Sequence, residues 1–312
     1  MTTSTHGDHL QVLGPDIGLA QVFAFYEERA HGDPSAAWQA FTTAWNWAAP
    51  LTTAVPGKDD RDRPEARPAV GGGFTLSGLW HLPVHDGTGP WLALPLTVGE
   101  RPSRPVTATP GGPDLFAVPS KALRGAVRAV TGDADVPGPA FRLEDVHVPT
   151  GFVTHAAATP LRAGDAPFVW TAVAAQALGA ARRMTGTLAA PDTASGAARG
   201  PVPSAAVAAE LAAVLHDERL SLAATLHGAP SARLGLPSSA EERLAARVQR
   251  AGNAVHQVVA AAFDHALASC GYAGEHPLVQ LMEAGAPILQ QVRYATQLLP
   301  PDDGTSWKGA TR

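Results

Sequence analysis

The C-terminal half of the chain constrains the fold most. The stretch APFVWTAVAAQALGAARRMTGTLA, from Ala166 to Ala189, contains no internal breaker and is rich in alanine, the strongest helix former. Three more helical stretches follow it. One spans about 205–226, beyond a gap at 191–204 rich in glycine, proline and alanine. The next, SAEERLAARVQRAGNAVHQVVAAAFDHALAS, opens with a capping signal, Ser239 followed three residues later by Glu242. Leu244, Val248, Ala251, Val255, Val258 and Ala262 keep helical spacing along it. The last is HPLVQLMEAGAPILQQVRYATQLL, in which Pro287 removes one backbone bond and should kink the helix. Four long helices with short connections predict a four-helix bundle.

The first 160 residues read differently. Leu19, Val22, Phe23, Phe25 and Tyr26 form one apolar helical face. Asp33 can cap the next helix with Pro34 at its first position, and Trp38, Phe41, Thr42 and Trp45 share a face of it. Residues 50–73, with proline, glycine and the charge run KDDRDR, read as a surface connection. Phe74–Leu79, Trp91–Val98, DLFAVPS and FRLEDVHVP then give short strands separated by turns, an antiparallel barrel or sandwich. In the last strand Leu143, Val146 and Val148 take the apolar positions, which leaves Asp145 and His147 as surface residues sharing a face. The fold class is therefore α+β: a short N-terminal helical part (1–55), a linker (56–73), a central antiparallel β-domain (74–160), and a C-terminal four-helix bundle with its tail (161–312).

Composition narrows the partners. A 45% hydrophobic content permits a sizeable core, while a net charge of −5 without a basic stripe argues against nucleic acid. No apolar run is long enough to cross a bilayer, and the N-terminus has no signal-peptide pattern, so a cytoplasmic location is expected. Cys270 is the only cysteine, which excludes an internal disulfide and a cysteine-based metal cluster. His81 and His85 are spaced like a metal pair, but Pro83 between them disfavours a helix and no third ligand is near, so no metal is expected.

Five motifs carry a resemblance. GGGFTLSGLWHLP, from Gly71, resembles the GGYxLSGxW strand of acyl-CoA dehydrogenases and their flavin-dependent monooxygenase relatives. FRLEDVHVPTGFV is similar to the end of their β-domain, and TAVAAQALGAARRM to their first bundle helix. DPSAAWQAF and HPLVQLMEAGAPILQQ resemble an N-terminal helix and the last bundle helix of the monooxygenase branch. The motifs keep the family order. The resemblance implies an acyl-CoA dehydrogenase-like fold, FAD as cofactor, and a homo-oligomer, dimer or tetramer, through the helical bundle.

The departures bear on the cofactor. The N-terminal helical part is shortened, and TTAVPGKDDRDRPEARPAV replaces a segment that touches flavin and substrate in the family. After Trp80, where the family places a hydroxyl against the flavin ring, stand His81, Leu82, Pro83, Val84, His85 and Asp86. The family Arg-Asp of the last helix falls on Glu283 and Ala284, and the monooxygenase histidine on Gln291. The gap at 190–205 does not reproduce the segment that supplies an arginine for the flavin pyrophosphate in the family. Several lost contacts at once favour an enzyme without flavin, with FAD binding as the alternative.

Without flavin the fold keeps a slot between β-domain and bundle, suited to an apolar small-molecule or carrier-bound substrate. The candidate catalytic residues are His85 and Asp86, at the strand end, and Glu283, on an otherwise apolar helix. An imidazole titrates near neutrality, and a buried carboxylate can exchange protons there. Each has a plainer reading: VHDG is a turn, and Glu283 lies on a solvated helix face. Trp80, Leu82 and Gln291 are the candidate pocket residues. The expected chemistry is a non-redox cyclisation, elimination or isomerisation of a polyketide-like or carbonyl-bearing intermediate of secondary metabolism. A flavin-dependent dehydrogenase or monooxygenase is the second reading, and a non-catalytic partner subunit of a full-length relative the third.

Overall fold

The computed structural model describes residues 12–58, 63–82, 89–96, 112–121, 128–130, 139–190, 205–270 and 276–300. Its architecture, over the described residues, is α+β: two N-terminal helices, a central β-domain of two larger sheets and a two-stranded one, and a C-terminal helical bundle.

The N-terminal helices are α1 (Leu19–Gly32) and α2 (Pro34–Ala44). Asp33 caps α2, its Oδ1 accepting from Ala36 N at 3.0 Å, with Pro34 where a missing N–H costs nothing. Trp38, Phe41 and Thr42 point inward, as their spacing predicts. Tyr26 of α1 is fully buried and its hydroxyl donates to the Leu13 carbonyl at 2.9 Å. Burial pushes this phenol's pKa well above its ordinary value of 10.0, because the charged form would sit in an apolar core.

The bundle consists of α3 (Ala166–Ala189), α4 (Ala205–Leu226), α5 (Ser238–Cys270) and α6 (Pro277–Val292), followed by the short α7 (Ala295–Leu298). α5 begins at Ser238, so Ser239 lies inside the helix and not at its cap. Pro287 sits inside α6, and the helix continues to Val292. α3 is the axis, contacted by α1, α2, α4, α5 and α6. A helix surrounded on all sides must be apolar all round, and its alanines let the neighbours approach closely. Gly179 is the clearest case: a Cβ there would lie 2.2 Å from the Glu27 carbonyl of α1. The N-terminal helices therefore join the bundle core.

Among the described residues the β-domain holds eleven short strands: β1 (Trp45–Asn46), β2 (Thr52–Thr53), β3 (Val55–Pro56), β4 (Glu65–Pro68), β5 (Phe74–His81), β6 (Trp91–Pro95), β7 (Leu115–Pro119), β8 (Arg128–Val130), β9 (Ala140–Val148), β10 (Val153–Thr154) and β11 (Thr159–Pro160). One sheet has the order β10-β7-β6-β2, and the other β3-β5-β9-β8 with β4 also on β5. Phe74 and Phe116 meet edge to face between the sheets, at 5.3 Å. Pairing is antiparallel except for β2 with β6 and β1 with β11. The connection expected at 56–73 needs correcting: Glu65–Pro68 is a strand of the second sheet, with Ala66 buried. The charge run before it masks a strand whose pattern is only four residues long.

The β5–β9 pairing contains a bulge. Leu76 faces Val146 and Gly78 faces Leu143, so Glu144 and Asp145 together oppose Ser77. Asp145 takes φ 52°, and the Ser77 hydroxyl donates to its carboxylate at 3.0 Å. An extra residue reverses the alternation: Phe141 and Leu143 are buried before the bulge, Val148 after it.

Candidate functional site

Three chain segments meet where the β-domain touches the bundle. β6 brings Trp91, the β9 end and the turn after it bring Val148, Pro149 and Phe152, and the turn after α6 brings Tyr294. The joint is fastened at Gly151. Its N–H donates to Gln290 Oε1 at 3.0 Å, and a Cβ there would lie 2.3 Å from the Pro287 carbonyl. Only glycine lets the turn approach α6 so closely.

The aromatic rings form one wall. Trp91 stacks on Phe152 with centroids 5.3 Å apart and planes 13° apart. Tyr294 meets both edge-on, at 6.0 Å from Trp91 and 5.7 Å from Phe152. In front of this wall opens a mainly apolar cavity of about 740 Å³, within the range of small-molecule sites. Lys121, His147, Thr296 and Gln297 supply its polar lining besides Tyr294. A second cavity of about 480 Å³ shares Pro149, Phe152 and Tyr294 and is lined further by His256, Gln290 and Arg293. The Arg293 guanidinium stands 5.7 Å from the Tyr294 ring centroid, a cation–π contact that holds the ring from behind.

Of the residues expected from the sequence, the four that are described lie elsewhere. His85 and Asp86 are outside the described residues. Glu283 is exposed on α6, which is the solvated alternative and not the buried carboxylate. Trp80 is fully buried and stacks on Phe141 at 6.2 Å and 17°. It is a core residue of β5, and its indole Nε1 has no hydrogen-bond partner. Leu82 is half-buried, with its N–H donating to the Pro139 carbonyl at 3.0 Å. Gln291 is fully buried on α6, with neither amide atom hydrogen-bonded. None of these four lines the larger cavity. Glu283 and Gln291 share a helix but face opposite environments.

Gln291 has a companion. Gly285 of α6 lies close to Ala180 and Met184, and Trp170 Nε1 donates to the Ala295 carbonyl at 3.1 Å. α6 therefore runs antiparallel to α3, which sets Gln291 at about the level of Gln176. Gln176 is also fully buried and its Oε1 is also unpartnered. Buried amide atoms without partners are uncommon in folded proteins.

His147 was legible as a titratable residue and was placed on the surface. It is exposed, and it lines the cavity rim. Lys121 and Tyr294 carried no signal, since an isolated lysine after a strand and a tyrosine after a helix are ordinary. Trp91, among the tryptophans, takes the wall position that resemblance suggested for Trp80.

No family model matches this sequence, and no curated protein matches it. Solved structures do align with it. 3-HSA hydroxylase from Rhodococcus sp. RHA1 is 16% identical over 91% of this chain and 81% of its own, with a TM-score of 0.38. XiaF from Streptomyces sp., solved in complex with FADH2 and glycerol, is 16% identical over 93% and 84%, with a TM-score of 0.39. Butyryl-CoA dehydrogenase from Megasphaera elsdenii is 13% identical over 89% and 79%, with a TM-score of 0.37. At these identities and TM-scores the likeness decides neither family, cofactor nor reaction for this chain.

FAD needs a flat slot for its ring and donors for two phosphates. The aromatic wall suits a planar body. For the pyrophosphate, the described residues lining the larger cavity offer one cation, Lys121, and those lining its neighbour offer one arginine, Arg293, which is set over the Tyr294 ring. The described residues lining these two cavities fit the ring and do not fit the dinucleotide's charge. Among the described residues no group of three histidine, cysteine or carboxylate side chains is placed to hold a metal ion, and no helix is long and apolar enough to cross a membrane.

Proposed function

We propose that this chain is a flavin-free enzyme of acyl-CoA dehydrogenase-like architecture, acting on an apolar, carbonyl-bearing small molecule. The observation that carries this reading is the cavity of about 740 Å³, with an aromatic wall and a sparse polar rim holding one cation. A planar or polycyclic substrate would lie against Trp91 and Phe152. His147 would take a proton from the carbon next to a substrate carbonyl. The Lys121 ammonium and the Tyr294 hydroxyl would stabilise the enolate oxygen as charge develops there. The same imidazolium would return the proton at a second atom, completing an isomerisation, elimination or cyclisation with no net change of redox state. Polyketide-like intermediates of secondary metabolism, free or carrier-bound, have this chemistry.

The exposed apolar residues of the bundle support a homo-oligomer as part of this reading. Val207 and Val214, two helical turns apart on α4, are 39% and 37% exposed, and Phe263 of α5 is 52% exposed.

The test is the visible absorption spectrum of the purified protein, recorded again after excess FAD and desalting. A colourless protein that releases FAD supports the reading. Flavin bands that survive desalting overturn its flavin-free part and leave a flavin-dependent dehydrogenase or monooxygenase. Turnover by this chain alone separates an enzyme from a non-catalytic partner subunit.

A further inference from the structure

A polar site lies away from the cavity just described, where α1, α3 and α4 meet. Glu27 of α1 is only 2% exposed, yet it is charged. Its Oε1 accepts from Arg182 Nη1 of α3 at 2.8 Å and from Arg219 Nε of α4 at 2.6 Å. Both arginines therefore converge on one carboxylate oxygen. Gly179 makes this possible, because it brings α1 against α3 one turn before Arg182. The neighbouring Arg183 is used differently, donating to the His31 and Gly32 carbonyls at the α1 C-terminus.

The charges do not cancel. One carboxylate meets two guanidiniums, and a positive charge is left over beside a cavity of about 510 Å³. Arg182 and Arg219 line that cavity, their side chains 34% and 37% exposed. His31 and His216 line it too, and none of the described lining residues is acidic. Guanidinium presents several N–H donors in a fixed fork, so a contact to one carboxylate oxygen leaves donor directions for another anion. A buried carboxylate that holds two arginines in place pre-organises them for a later ligand, while its charge competes with an anion for them.

We infer that this cavity is an oxyanion site, taking a phosphate group either as the free anion or carried as a phosphate monoester. It is independent of the proposed active-site cavity and stands or falls separately from it. Arg182 and Arg219 would hold the phosphate oxygens, His31 and His216 would donate from the cavity walls, and Glu27 would position both arginines.

The experiment titrates inorganic phosphate, and separately pantetheine 4′-phosphate, into the whole chain by calorimetry, at ionic strength balanced with sodium chloride. Three variants are compared. Arg219→Gln leaves Glu27 paired with Arg182, and should weaken binding tenfold or more. Glu27→Gln keeps both arginines and removes the competing charge, and should tighten it several-fold. His216→Gln, at an exposed position, should weaken it two- to fivefold without changing the melting temperature. Loss of folding would weaken both core variants, so opposite signs for Arg219→Gln and Glu27→Gln identify the site. Tighter binding of the monoester assigns a carried phosphate, and equal binding assigns the free anion. Absence of saturable binding by either probe, or the same direction of change in both core variants, overturns the inference.

Discussion

Replacing Gln291 with methionine should make the protein more stable. Gln291 is fully buried and neither its Nε2 nor its Oε1 has a hydrogen-bond partner. Each such atom lost its bonds to water on folding and regained none, at about 1–3 kcal/mol apiece. Methionine has the same unbranched length, fills the same volume and carries no strong donor or acceptor. Gln291→Met therefore removes two unpaid desolvation costs and opens no cavity. Allowing for relaxation around the site, a gain of about 2 kcal/mol is expected, which for a chain of this size raises Tm by roughly 3 °C. Urea unfolding followed by tryptophan fluorescence, with thermal melts in parallel, measures it. A loss of 1 kcal/mol or more would refute the reasoning, because it would show that the amide is satisfied, by Gln176 or by an ordered water.

The other predictions test the frame and the cavity. Gly179→Ala puts a Cβ 2.2 Å from the Glu27 carbonyl, so α1 must move off α3; a destabilisation of about 2–3 kcal/mol is expected in urea, and a neutral result would refute the close approach. Tyr26 has its folded pKa raised by burial, so the unfolded chain loses this proton first and stability falls as pH rises above 10.0; the fall should flatten in Tyr26→Phe when denaturation is followed from pH 9 upward. His147→Gln should leave Tm within 1 °C, because the side chain is exposed, and lower turnover of a carbonyl-bearing substrate by about 100-fold or more. Val214→Asp should shift the sedimentation profile towards monomer if the exposed apolar stripe of α4 is an oligomer contact.

The bundle was legible because its signals are long. Twenty-four residues without a breaker, then three more periodic stretches, leave few other ways to bury so much apolar surface. The cap at Asp33 was legible for the opposite reason: it is local and needs no knowledge of the rest of the chain. The site was hidden because it depends on where distant segments end up. Trp91, Phe152 and Tyr294 are separated by 61 and 142 residues and come together only when a glycine turn docks on α6.

His147 is exposed, as the sequence predicts, and a single backbone event sets where on the surface it stands. In FRLEDVHVP the apolar residues fall at Leu143, Val146 and Val148, a spacing of three and then two. A regular strand cannot place all three on one face, since its period is two. The spacing is itself the trace of the bulge at Glu144 and Asp145, and Asp145, with φ 52°, is one of the residues that tolerate that region. The positions before and after the bulge therefore belong to different registers, and the pair Asp145–His147 need not share a face at all. Read in the second register, His147 is the outward residue between inward Val146 and Val148, at the end of the strand that meets the bundle. An outward residue in mid-strand faces solvent. At this end it faces the rim of the cavity against which Tyr294 and Gln297 are set, so a titratable group is delivered to the apolar slot by a one-residue irregularity in the strand that carries it.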